Sequence, residues 1–255
     1  MKFTAIVLAA DREHENPVAR AANAPCKALV PLAGKPMLER ILKALAQSRE
    51  IAGILICGPG EGIWKNITLD EPAEWIPPDA SPSRSAWRCM EQIDDHQPVL
   101  LTAADIAFPQ PRVFDDFCRR AVESGADVAV GLVPYAKVAA RFPGVRRTPL
   151  KFSDGPFCTC NLFAFLTPKG RELIRLWKKL EQDRKRPWRL IQALGLAPLL
   201  LYLTGRLTTE EAARRVERKL GIKAAFIVLP YPEAAIDIDT EQDLSFVRRL
   251  LNHPD

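Results

Sequence analysis

Short apolar segments alternate along the chain with longer amphipathic ones, and this alternation predicts a mostly parallel sheet covered by helices. Segments 147–152 and 160–165 are typical of strands added to the sheet in the antiparallel direction. The proline-rich stretch 71–82 is expected to form a loop. Buried strands are expected at 4–9, 53–57, 99–102, 128–133 and 224–229, and amphipathic helices at 36–47, 83–93, 111–123 and 241–251.

The alternation stops between residues 168 and 221, where helical patterns follow one another without an intervening strand. Thr208 and Glu211 have the spacing of a capping box, which marks the start of the last of these helices. We therefore expect a single domain over residues 1–255, α/β and Rossmann-like, in which 168–221 is a helical insertion. The predicted helices of the insertion are 169–181, 188–193, 197–203 and 208–220.

The composition narrows the choice of partners. The chain carries 36 Lys and Arg against 31 Asp and Glu, and residues 169–221 alone hold 14 basic against 6 acidic residues. This local surplus favours binding or covering of a small anionic acceptor, and we expect no nucleic acid partner. The alternative is that many of these side chains only solvate the exposed faces of helices. The longest strongly apolar stretch, 197–203, is far too short to span a membrane, so a cytoplasmic protein is expected. The six scattered cysteines predict reduced structural thiols.

The N-terminal segment carries the most specific signal. An apolar run over residues 3–10 ends in a polar loop that contains Arg12, Arg20 and Lys27. A second short apolar segment, 28–32, turns at Gly34 into a helix that Pro36 can begin. A buried strand that leads into a cationic loop is suited to hold phosphate groups at the carboxyl edge of a sheet.

Two acidic segments are candidates for metal ligation. Asp105 lies just beyond the predicted strand 99–102, and Asp237 and Asp239 alternate, so that they face one side of an extended segment. On spacing alone, Asp105 could instead cap a turn, and Asp239 could cap the helix that follows it.

The N-terminal segment resembles MobA-like NTP transferases, the group that includes molybdenum cofactor guanylyltransferases and sugar-nucleotide pyrophosphorylases. Their pattern is L-A-A-G, a loop with an Arg, P-K-x-L, and then G-K-P-M-l. The chain departs from it at Asp11 and Glu13, where the family has glycine. The matching residues are Leu8, Ala9, Ala10, Arg20, Lys27, Leu29 and Gly34 through Leu38.

The two acidic segments are similar to L-L-x-A-D-x-P and D-x-D-T-P-E-D-L of the same family. The resemblance implies a nucleotide-diphospho-sugar transferase type of fold with a helical insertion. It also implies Mg²⁺ bound by Asp105 and Asp239, with Asp237 as a substitute ligand.

The segment 79–85 is similar to the family's G-x-S-R-x-x-S stretch, which implies that Ser83, Arg84 and Ser85 contact the nucleobase. Ordinary capping of the next helix by Ser81 or Ser83 is the alternative. The segment that ends in Asn161, Leu162 and Phe163 resembles the family's acceptor-side loop, which ends in N-l-f, and this implies that Asn161 contacts the acceptor. Lys151 is a weaker candidate, and the alternative is that it lies on a solvated strand face.

The resemblance implies an enzyme that joins a nucleoside triphosphate to a phosphorylated small-molecule acceptor and releases pyrophosphate. Arg20 and Lys27 would neutralise the triphosphate, with Lys35 behind them. Two other classes stay open: a non-catalytic nucleotide-binding module, which would fit the unusual Asp11, and a metal-dependent glycosyltransferase. The nucleotide would contact Leu8, Ala9, Ala10, Asp11, Arg12, Lys27, Lys35, Ser83, Arg84 and Ser85.

Overall fold

The computed structural model describes residues 1–11, 16–182 and 205–252, and of residues 178–182 it describes the backbone only. The strands are β1 (Phe3–Leu8), β2 (Pro31–Leu32), β3 (Lys35–Pro36), β4 (Ile51–Cys57), β5 (Glu74–Ile76), β6 (Val99–Ala103), β7 (Val128–Pro134), β8 (Leu150–Phe152), β9 (Gly155–Phe165) and β10 (Ala224–Val228). The helices are α1 (Pro17–Ala21), α2 (Met37–Ala46), α3 (Glu61–Trp64), α4 (Pro82–Met90), α5 (Pro111–Glu123), α6 (Tyr135–Arg141), α7 (Pro168–Gln182), α8 (Thr209–Leu220) and α9 (Glu241–Asn252).

One eight-stranded sheet organises the molecule. Its order is β10-β7-β9-β6-β1-β4-β5, with β8 paired to β9. β1 runs parallel to both β4 and β6, whereas β9 is antiparallel to β6, β7 and β8. The predicted mostly parallel α/β sheet with added antiparallel strands is therefore confirmed. Because β1 and β6 are parallel neighbours, the loops that follow them meet at one edge of the sheet.

The two faces of the sheet are buried under different helices. On β1, Val7 belongs to the cluster that contains Ile41 of α2 and Phe117 of α5. The next side chain, Ile6, points to the opposite face and joins Ala86 of α4 and Ile174 of α7. The described part of α7 thus belongs to the helical layer that covers the sheet.

The bounds of most predicted elements agree with the observed bounds to within one or two residues, and those of α5 are as predicted. The prediction of a loop over 71–82 was wrong at β5, which is held by pairing with β4 and not by local preference. Helix α6 and the small β2–β3 sheet were not predicted. The Thr208 hydroxyl accepts a hydrogen bond from the Glu211 amide at 3.0 Å, which confirms the N-cap of α8.

Helices α7 and α8 correspond to the first and last helices predicted for the insertion. The two predicted between them, 188–193 and 197–203, lie outside the described residues, and the subdomain remains a prediction. All six cysteines are buried and free. Within the described part of the chain, no helix has the length and apolar character needed to cross a membrane.

Candidate active site

The candidate site is built at the carboxyl ends of β1 and β6. Asp105 follows β6, and a short antiparallel bridge joins Ile106 to Asp237. Two backbone hydrogen bonds extend this contact, from the Ala107 amide to the Ile236 carbonyl at 2.9 Å and from the Ile238 amide to the Asp105 carbonyl at 3.1 Å. The bridge therefore brings the two predicted acidic segments together, although they are more than 130 residues apart in the sequence.

Lys27 connects the two carboxylates. Its ammonium nitrogen lies 2.6 Å from Asp105 Oδ2 and 2.9 Å from Asp239 Oδ1. Only 16% of the Lys27 side chain is exposed, and burial alone would lower its pKa, yet the two carboxylates raise it above its ordinary value. Lys27 is therefore held as a cation between Asp105 and Asp239, the two residues that form the acidic cluster.

Asp237 lies beside this cluster with its own cation. Arg147 forms an ion pair with its carboxylate, and the Asn161 amide donates to Asp237 Oδ2 at 3.0 Å. Burial raises the pKa of Asp237 to about 6; Arg147 opposes this shift, and the charges of Asp239 and Asp105 add to it. The three aspartates therefore lie close enough to influence one another electrostatically.

Asn161 reaches Asp237 because the backbone of β9 is irregular at that point. The register between β7 and β9 shifts beside residue 131, and Asn161 has a φ of +51° in the left-handed region. Asparagine tolerates this conformation better than most residues. Sequence reasoning missed Arg147, which was visible only as a basic residue at the start of a predicted strand.

The carboxylate set fits a divalent cation. Asp105 Oδ1 is buried and has no hydrogen-bond partner within the described residues, so one oxygen is available as a ligand beside Asp239. Carboxylate oxygens are the ligands that Mg²⁺ prefers in proteins. The described ranges contain no group of three or more Asp, Glu, His or Cys side chains arranged around one metal position. The ammonium of Lys27 lies between the two carboxylates instead.

The carboxylate of Asp11 is bound by the backbone of Lys27. Both of its carboxylate oxygens accept from the backbone amide of Lys27, at 3.2 and 3.1 Å. Burial raises the pKa of Asp11, and the hydrogen bond and charge of Lys27 oppose that shift. The carboxylate thus has a hydrogen-bond partner in the backbone amide of Lys27, and the contact of Asp11 with the nucleotide remains a prediction.

The end of β1 is closely packed against the next loop. A Cβ added at Gly58 would lie 2.8 Å from the Ala10 backbone nitrogen, and Gly58 has a φ of +88°. Ala9 donates its amide to the Cys57 carbonyl at 2.9 Å. Leu8, Ala9 and Ala10 are therefore held in place from the side of β4, and glycine is required at position 58.

The segment 79–85, which is predicted to contact the nucleobase, is stabilised by its own side chains. Ser81 caps α4 by accepting from the Arg84 amide at 3.4 Å, which confirms the capping alternative for that residue. The Ser85 hydroxyl accepts from the Asp79 amide at 2.9 Å, and Arg84 Nε lies 2.8 Å from Asp79 Oδ1. Ser83 is fully buried. Nucleobase contacts by Ser83, Arg84 and Ser85 remain predictions.

The remaining predicted residues lie around this centre. Arg20 is exposed on α1, and Lys151 is exposed on β8. The Lys35 ammonium contacts Asp70 at 3.0 Å and Glu39 at 3.7 Å on the surface, instead of the Asp105 and Asp239 carboxylates. Arg12 lies outside the described residues.

The family profile of the MobA-like NTP transferase domain matches residues 5–194. The chain belongs to this family. The match includes the cationic loop and Asp105, and it confirms the suspected resemblance. The protein is therefore a nucleotidyltransferase. No curated protein matches the chain.

Solved structures agree with the family assignment. A hypothetical transferase from Thermus thermophilus is 31% identical, with a TM-score of 0.77, and the match covers 96% of this chain and 100% of the other. A CMP:2-keto-3-deoxy-manno-octonic acid synthetase complexed with CTP is 14% identical (TM-score 0.60, 99% of each chain). A 2-C-methyl-D-erythritol 4-phosphate cytidylyltransferase, also from Thermus thermophilus, is 17% identical (TM-score 0.56, 99% of this chain, 100% of that one). The last two share the fold, which confirms the predicted fold type.

Proposed function

We propose that this nucleotidyltransferase moves a nucleoside monophosphate group from a nucleoside triphosphate to a phosphorylated small-molecule acceptor in a Mg²⁺-dependent reaction. The observation that supports this most is the buried ammonium of Lys27 between the carboxylates of Asp105 and Asp239. A cation and two potential metal ligands at the carboxyl ends of parallel strands are suited to a substrate rich in phosphate.

Asp105 and Asp239 would hold Mg²⁺ through their carboxylate oxygens. The ion, when bound, neutralises negative charge on the phosphate oxygens. Lys27 then turns its ammonium from the carboxylates to the triphosphate and stabilises the charge that grows on the leaving pyrophosphate. Arg20, exposed at the edge of the loop, adds a second positive charge.

An acceptor phosphate is already an anion, so its attack needs no general base. One of its oxygens bonds to the α-phosphorus, and the bond from this phosphorus to the oxygen bridging to the β-phosphate breaks. Catalysis then consists of positioning and electrostatic stabilisation. Asn161, oriented by its hydrogen bond to Asp237, and Lys151 would contact the acceptor.

The names of two neighbours of the same fold make CTP the first triphosphate to test. One of these names also contains a phosphorylated acceptor. Because phosphorylated metabolites and nucleoside triphosphates are present together in the cytoplasm, we place the reaction there, with no nucleic acid or membrane partner.

The test is to incubate the protein with each of the four nucleoside triphosphates, Mg²⁺ and a panel of sugar and polyol phosphates, and to measure pyrophosphate. We expect release that depends on one acceptor and is lost in Asp105→Asn. Asp115→Asn is the matched control, because Asp115 accepts from the backbone amides of Arg49 and Glu50, which precede the amino end of β4, whereas the site lies at the carboxyl ends of the strands. Acceptor-independent release of orthophosphate, or full activity of Asp105→Asn, would contradict the proposal.

A further inference from the structure

We infer that Asp11 is a positioning residue, which fixes the backbone of Lys27 so that its ammonium is aimed at the reacting phosphates. The inference rests on the function proposed above, in which Lys27 meets the triphosphate. Asp11 itself would not contact the nucleotide.

The contact is specific in geometry. Asp11 lies just after β1, and its Oδ1 and Oδ2 atoms accept from the Lys27 backbone amide at 3.2 and 3.1 Å, across 16 residues of sequence. Asp11 and Lys27 are therefore hydrogen-bonded to each other at the two ends of the cationic loop. A glycine at position 11, as the family pattern has it, could not make this contact because it has no side chain.

The contact also supplies a cap that the local sequence lacks. Lys27 begins the 3₁₀ turn Lys27–Leu29, and Cys26, the residue before the turn, is extended and makes no side-chain cap. The first amide of such a turn needs an acceptor from elsewhere. Asp11 provides that acceptor, and its negative charge makes the bond stronger than a neutral one.

Asp11 and the acidic cluster hold opposite ends of Lys27. The backbone amide is bound by Asp11, and the ammonium extends to Asp105 and Asp239. With the backbone fixed, the ammonium can move from the carboxylates to a triphosphate by side-chain rotation alone. Catalytic groups displaced by about 1 Å can lose on the order of 100-fold in rate, so a loosened backbone should reduce turnover.

The first measurement uses the unliganded protein. Hydrogen exchange of the Lys27 backbone amide and the ammonium resonance of Lys27 are followed by NMR in the wild type, Asp11→Ala, Asp11→Asn and Asp115→Ala. We expect at least about tenfold faster amide exchange and a shifted ammonium resonance in Asp11→Ala. The control Asp115→Ala should resemble the wild type, and Asp11→Asn, which keeps one uncharged acceptor oxygen, should lie closer to the wild type than Asp11→Ala does. Unchanged signals in Asp11→Ala would overturn the inference.

The second measurement is a double-mutant cycle of transfer rates with Lys27→Met. Asp11→Ala should reduce kcat by about 10- to 100-fold in the wild-type background but by less than about twofold in Lys27→Met. Asp11→Asn should restore most of the rate. Equal losses in both backgrounds would show that Asp11 acts independently of Lys27 and would refute the inference while leaving the proposed transfer intact. If the wild type transfers no nucleotide, the proposed function fails first and the positioning role fails with it.

Discussion

Replacement of Lys27 should increase the affinity of the nucleotide-free protein for a divalent cation. In the structure the ammonium is hydrogen-bonded to Asp105, whose side chain is 19% exposed, and to Asp239, which is 61% exposed. The first, largely buried contact is worth about 1.5–3 kcal/mol and the second at most about 1 kcal/mol. A divalent cation that displaces the ammonium must compensate for about 2–4 kcal/mol. In Lys27→Met this competition is absent, so the dissociation constant should fall by about 30- to 1000-fold.

Calorimetric titration with Mn²⁺, followed by competition with Mg²⁺, measures this affinity without nucleotide. Lys65→Met is the control, because Lys65 forms an exposed ion pair with Glu61 on α3 and should leave metal binding unchanged. Equal or weaker metal affinity in Lys27→Met would refute the reasoning that the ammonium and the cation compete for the same two carboxylates.

Three further predictions concern stability and pH. Arg171→Met should lower the free energy of unfolding in urea by about 3–5 kcal/mol, because the buried guanidinium donates to three backbone carbonyls within residues 93–97. The control is Arg175→Met, on the exposed side of α7, which should lower the free energy of unfolding by less than about 1 kcal/mol. Gly58→Ala should lower the free energy of unfolding by about 1–3 kcal/mol and weaken triphosphate binding in a thermal-shift titration, because the added Cβ displaces Ala10. An unchanged melting temperature together with unchanged triphosphate binding would contradict the close packing of Gly58 against Ala10. Burial raises the pKa of Asp237 to about 6, so the folded state retains a proton that the unfolded chain releases. The contribution of this residue to the free energy of unfolding therefore falls by about 2 kcal/mol as pH rises from 4 to 7. Asp237→Asn should remove that fall in urea titrations, and an identical pH profile would refute it.

Much of the fold could be predicted because it follows from hydrophobic periodicity. The strands around β1 and the helix α5 are strongly apolar or amphipathic, and their bounds agree closely with prediction. Helix α6 is short, and β5 is formed by pairing with β4. Elements of this kind depend on tertiary contacts, which no local pattern encodes.

The acidic residues of the candidate site could be predicted from the sequence, whereas its basic residues could be predicted less well. Asp105 and Asp239 could be recognised from motifs, each at the end of an apolar segment. The pairing of Arg147 with Asp237 spans 90 residues and leaves no signal in spacing. The contact of the Asp11 carboxylate with the Lys27 amide, 16 residues further along the chain, likewise leaves no signal in the sequence, which predicts only that Asp11 contacts the nucleotide.

Transfer of a nucleoside monophosphate to a phosphorylated acceptor can be followed by ³¹P NMR of a complete reaction with Mg²⁺. We expect two mutually coupled resonances of a new P–O–P linkage between the α-phosphate and the acceptor, together with an equal amount of pyrophosphate. Both should disappear when the metal is chelated. Release of orthophosphate, or consumption of triphosphate without a new linkage to the acceptor, would contradict the proposed transfer reaction.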